Sequence, residues 1–143
     1  MSYIGGELGE TMPVNIDFRT VDDLPGVAVV TLQGSVDPKS IVPFQAALAK
    51  ASEDGVRVLV LDLTEVKYIN SAGMSYLVNV ADLLAEHGGY LLVAGSTPKV
   101  KVVLGLMGVS QFFRLYKTVD SALAGVRTAR RKAQSLPAAR KHA

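Results

Sequence analysis

Cysteine is absent from this chain, so neither a disulfide framework nor a thiolate metal site is available to it. Histidine is scarce: only His87, near an expected helix end, and His142, in the tail, carry an imidazole. A Ser–His nucleophile pair is therefore not expected. No apolar run reaches the roughly 18 residues that a membrane-spanning helix needs. The opening segment, MSYIGGELGETMP, has neither the basic flank nor the apolar centre of a secretory signal, which points to a cytoplasmic protein. Phosphate-loop and nucleophile-elbow motifs are missing as well. Asp82 and Glu86 stand four apart, as on a solvated helix face. These absences leave no expected cofactor, metal site or enzymatic centre.

What is present describes one globular domain. The 143 residues are 49% hydrophobic and 20% charged, enough to build a core. The net charge of +2 conceals an asymmetry. Up to residue 120 there are 9 Lys and Arg against 13 Asp and Glu; beyond it there are 6 basic residues and no acidic one. Such a basic end either contacts nucleic acid or anionic lipid, or places cations near a helix C-terminus. With few aromatics interleaved the second reading is preferred, and no direct nucleic acid contact is expected.

The hydropathy pattern alternates strands and helices. After a loose leader over residues 1–13, Val14, Ile16 and Phe18 mark the inward side of a half-exposed strand. A turn at Val21–Gly26 leads to a second strand over Val27–Gln33, forming an antiparallel hairpin. The loop Gly34–Pro38 precedes a helix near residues 39–53, with Ile41, Phe44, Leu48 and Ala51 inward. Gly88-Gly89 ends the next helix, and Tyr90–Ala94 is an apolar strand. Thr97 and Pro98 open a helix carrying Val100, Val103, Leu104 and Met107. That stripe is read as core, although a binding groove at one edge would show the same spacing. Phe112–Tyr116 reads as a short strand, and Thr118 caps a last helix with Ala122, Leu123, Val126 and Ala129 inward. A domain over 14–133 and a basic tail over 134–143 follow.

The segment Val56–Leu84 carries the most information. Val58 to Leu61 and Leu63 form a nearly unbroken apolar run, as in a strand covered on both faces. After a short connection, Asn70-Ser71-Ala72-Gly73-Met74 opens a helix on which Met74, Leu77, Ala81 and Leu84 share a stripe. Ser71 thus falls at the positive end of a helix dipole, where a phosphate is favoured and where a serine is equally at home as an N-cap. Asp37 is either a partner-contacting loop residue or the cap before Pro38. Asp62, ending a central strand, would suit a phosphoaccepting aspartate, but the hairpin order and the lack of lysine in Gly95–Pro98 weigh against that. A mostly parallel sheet would place function at its carboxyl ends, gathering Gly34–Pro38, Asn70-Ser71 and Gly95–Pro98.

The order of elements, with Gly34-x-Val36-Asp37, Asp62-Leu63 and Ile69-x-Ser71-x-Gly73 at their junctions, resembles a STAS domain over roughly residues 14–128. Within that family it looks like a single-domain anti-sigma factor antagonist. The resemblance implies an α/β fold: a mixed, mostly parallel sheet opened by a β-hairpin, with about four helices against it. It also implies a bacterial partner-switching protein that binds an anti-sigma factor, itself a serine kinase, and is released by phosphorylation of one serine. An opposing phosphatase would reset the switch. Ser71 occupies the position of that serine, and Asp37, Asn70, Ser71, Ala72, Gly73 and Met74 form the implied partner-binding set. Asn70 stands where the family usually carries aspartate. A homodimer is compatible with this reading. The alternative is a non-switching STAS module, either a signalling scaffold or the cytoplasmic subunit of a lipid-transport complex, in which Ser71 only caps its helix.

Overall fold

In the computed structural model, residues 14–53, 55–106 and 114–135 are described. Five strands form one sheet in the order β1-β2-β3-β4-β5: β1 (Val14–Thr20), β2 (Val27–Val36), β3 (Val58–Ile69), β4 (Tyr90–Ala94) and β5 (Arg114–Tyr116). The hairpin pair β1/β2 is antiparallel, and every later pair is parallel. Four helices complete the described chain: α1 (Ile41–Glu53), α2 (Ser71–Glu86), α3 (Pro98–Leu106) and α4 (Val119–Ser135).

The unbroken apolar strands are explained by two cores. Side chains alternate across a strand, so Leu59, Leu61 and Leu63 face one side of β3 while Val58 and Val60 face the other. The first side is packed by Phe44 and Leu48 of α1, Met74, Leu77 and Leu84 of α2, and Val100 and Leu104 of α3. The second is covered by Ala122, Leu123 and Val126 of α4. The Phe44 and Tyr76 rings meet edge to face at 6.4 Å, and the Tyr76 hydroxyl donates to the Gln45 carbonyl, which locks α1 against α2.

Several boundaries move from their expected places. β2 continues through Gly34 and Ser35 to Val36, and β3 runs without a connection to Ile69. Two register shifts let β3 spend extra residues against β2, so buried Val36, Val66 and Ile69 extend the core beyond the polar positions that looked like loop. α1 starts at Ile41, because the Asp37 carboxylate gathers the Lys39 and Ser40 N–H groups into a turn first. Phe18 is 43% exposed: among the described side chains of this edge strand only Ile16 reaches the core, and that of Val14 lies outside the description. Ala129 is exposed too, where α4 overruns the core that ends at Val126, and α4 itself continues past 133 to Ser135. The expected leader, Met107, Gly108, Phe112, Phe113 and the end of the tail lie outside the described residues, as does the side chain of Val103.

Helix ends follow their sequence signals. Thr118 Oγ1 accepts from the Ser121 N–H, and Thr97 Oγ1 from that of Val100. At the end of α2, Gly88, at φ +80°, and Gly89 donate to the Ala85 and Leu84 carbonyls. Arg127 of α4 grips Asp23 in the hairpin turn through two hydrogen bonds of 2.7 and 3.0 Å. These bonds hold the Asp23 carboxyl below its ordinary value. A depressed carboxylate contributes stability that is complete above the unfolded-state value and is lost as pH falls through the folded one. Asp23→Asn should therefore remove a small acid-limb component from the pH dependence of thermal melting, and salt should shrink the difference because the pair is exposed. Phe44→Ala, by contrast, should cost ~3–5 kcal/mol in urea unfolding at any salt concentration.

Candidate functional site

The carboxyl ends of β2, β3 and β4 point the same way, so the segments that leave them share one end of the sheet. Asn70 donates its backbone N–H to the Val36 carbonyl at 2.8 Å, which ties the start of α2 to the start of the Asp37 turn. Thr97 Oγ1 contacts the Val66 carbonyl at 3.4 Å and brings the loop after β4 alongside. Of the three segments expected to gather, Gly34–Pro38 and Asn70-Ser71 are joined directly, while Gly95–Pro98 meets β3 at Thr64 and Val66, short of Asn70.

Their roles differ from the expected ones. Asn70 is the N-cap of α2: its backbone is extended, and its Oδ1 accepts from the Gly73 N–H at 2.8 Å. Met74 N–H to the Asn70 carbonyl, 3.0 Å, is the first intrahelical bond. Ser71 is consequently the first helical residue, not the cap, which corrects the capping reading of this serine. The deciding feature is the backbone, extended at Asn70 and helical from Ser71. Asparagine three residues before Gly73 reaches a donor from the N-cap position, and the serine that follows is turned outward. Ser71 and Ala72 are both exposed, and no hydrogen bond joins the Ser71 hydroxyl to another described residue. Their N–H groups are orphan donors of the first turn, and no acidic residue lies in that turn to balance the dipole.

Gly73 and Met74 belong to the interior. Met74 is 0% exposed and packs in the core beneath α1 and α2, so its side chain offers no surface to a partner, contrary to expectation. Gly73 is buried against the sheet: a Cβ there would stand 2.8 Å from both Ile69 Cγ2 and Val36 Cγ1. The glycine lets the helix start sit directly on the strand ends. Val42 and Tyr68, exposed at 69% and 42%, are large apolar side chains left open at this end.

Asp37 is committed locally. Its Oδ1 accepts from the Lys39 N–H at 2.9 Å and the Ser40 N–H at 3.2 Å. Ser40, fully buried, donates its hydroxyl to the Ser35 carbonyl and accepts from the Asp37 N–H. Sequence reasoning overlooked Ser40, whose signal was its position three residues after an aspartate. Asp62 accepts from the Thr64 hydroxyl at 2.6 Å and from the Thr64 N–H at 3.0 Å. It lines a cavity of about 620 Å³ with Lys101, Tyr116, Lys117 and Asp120. His87 closes the opposite end of α2, about 24 Å along the helix from Ser71, too far for proton transfer.

Comparison with known proteins agrees with this architecture. The STAS domain model matches residues 18–122, and the chain belongs to the STAS domain family. The anti-sigma-F factor antagonist RsfB of Mycobacterium tuberculosis is 32% identical over 112 residues, covering 78% of this chain and 90% of RsfB. A crystal structure of an anti-sigma factor antagonist from Mycobacterium paratuberculosis superimposes with a TM-score of 0.72 at 28% identity, covering 80% of this chain and 94% of that one. SpoIIAA in its unphosphorylated form, at 17% identity and a TM-score of 0.69, shares the fold over 80% of this chain and 97% of its own.

The cap assignment has a direct consequence for stability. Asn70→Ala should cost about 1 kcal/mol in chemical denaturation, whereas Ser71→Ala should stay within ~0.5 kcal/mol of the parent. Gly73→Ala should cost ~1–3 kcal/mol, because Val36 and Ile69 must give way to the new methyl group.

Proposed function

We propose that this protein is an anti-sigma factor antagonist, acting in the bacterial cytoplasm by binding an anti-sigma factor that is itself a serine kinase. Phosphorylation of Ser71 breaks the complex, and a phosphatase restores it. The observation that carries this reading is the exposed Ser71 hydroxyl at the first position of α2, with capping already performed by Asn70. The relationship to RsfB, named for antagonising an anti-sigma factor, supports the same direction.

The physics of release is local. A phosphoserine adds about −1.5 to −2 charges and three acceptor oxygens. At the start of α2 the orphan N–H groups and the helix dipole accept that charge, a contribution of ~0.3–1 kcal/mol, so the domain stays folded. A partner packed over Ala72 and Val42 would have to strip water from the dianion. Without a cation opposite, that costs several kcal/mol, which is orders of magnitude in affinity. No allosteric change is needed. The protein acts by binding, not by catalysis, and needs neither cofactor nor nucleic acid. Among the described residues no helix is long and apolar enough to cross a membrane.

The test compares tagged Ser71→Ala and Ser71→Glu chains as baits in lysate of the native cells, with captured proteins quantified by mass spectrometry. The reading expects a serine-kinase-type ATPase on the alanine bait and its loss, by tenfold or more, on the glutamate bait. Equal capture by both would instead favour a non-switching STAS module. Val42→Asp should likewise weaken capture by tenfold or more while leaving the melting temperature unchanged.

A further inference from the structure

β1 is the outer strand of the sheet, and among the described residues it pairs with β2 alone. Its register with β2 runs without a shift from Val14 opposite Gly34 to Thr20 opposite Ala28. Edge strands are usually guarded by a bulge, a proline, charged side chains such as lysine or short length, because their free N–H and C=O groups invite pairing. The 7 residues of β1 contain no bulge, proline or lysine. Their only charges, Asp17 and Arg19, are opposite in sign and both exposed, and between them Phe18 is 43% open to solvent.

We propose that β1 is a self-association edge, at which a second copy of this chain adds its own β1 antiparallel to form one ten-stranded sheet. A two-fold axis normal to the sheet keeps each face on its own side, so a residue lies opposite one of the same parity. With the axis through Phe18, Asp17 of each copy lies opposite Arg19 of the other, Phe18 lies opposite Phe18, and Ile16 lies opposite Thr20. Opposite charges and aromatic pairs at directly facing positions are favourable, and like charges are not. Moving the axis to Asp17 or to Arg19 sets that charge against itself. The sequence Asp-Phe-Arg therefore selects one register out of the neighbouring three. The same axis turns the two β3 strands in opposite directions, so the Ser71 surfaces lie at opposite ends of the joined sheet and both stay open. The association stands apart from phosphorylation and does not depend on it.

Sedimentation equilibrium of the full chain, over roughly 10 µM to 1 mM to cover the range of a small interface, tests this. The expected mass rises from 15.2 kDa towards twice that value with concentration. Asp17→Arg and Arg19→Asp should each shift the midpoint towards monomer by about tenfold or more, since each sets like charges opposite one another at two places. The double exchange Asp17→Arg with Arg19→Asp restores opposite charges and should restore the dimer. Far-UV circular dichroism checks that each variant is folded. A monomer at every concentration, a dimer indifferent to the single exchanges, or a double variant as weak as the singles would overturn the proposal.

Discussion

Helix α2 begins where it does because residue 73 has no side chain. The Gly73 backbone rests against Val36 and Ile69, the last residues of two paired strands, while its N–H is held by Asn70. A side chain at this position would have to displace the Val36 and Ile69 methyl groups or shift the helix start. From that contact follow the burial of Met74 one residue later, the hydrogen bond between Asn70 and Val36, and the outward turn of Ser71. One close approach thus sets both the packing of the sheet's helical face and the exposure of the hydroxyl on which a switch would act.

The division of labour between Asn70 and Ser71 has an electrostatic side. An aspartate cap would supply a negative charge to the helix end and repel a phosphate on the next residue. Asn70 makes the same bond to Gly73 without the charge, and α2 carries no acidic residue in its first turn. The helix start is left with an unbalanced positive dipole, a setting in which an added phosphate is tolerated by the fold. Asparagine at the cap thus keeps the bond to Gly73 and adds no charge beside Ser71.

Much of this was legible in the sequence, and the misses share a cause. The continuous apolar run of β3 announced a strand with two covered faces, and the Thr97, Thr118 and Gly88 signals located helix ends. Those signals are local, so sequence carries them whole. The extension of β2 and β3 was missed because it depends on a bulged pairing between Gly34–Val36 and Val66–Ile69, which only the neighbouring strand reveals. Periodicity did put Met74 on the buried stripe, yet its place beside Ser71 invited a surface role. The lesson at Asn70 is similar: serine and asparagine are both good caps, and the choice between them rested on where the chain leaves β3 and turns helical.

The central claim is that Ser71 is a free hydroxyl whose modification governs binding. It is tested most directly by peptide mapping of the protein isolated from its own cells, with and without the captured partner. The account predicts phosphate on Ser71 in the partner-free pool and its absence from the partner-bound pool. Phosphorylated Ser71 in the bound pool, or a partner-free pool unmodified at Ser71, would contradict it.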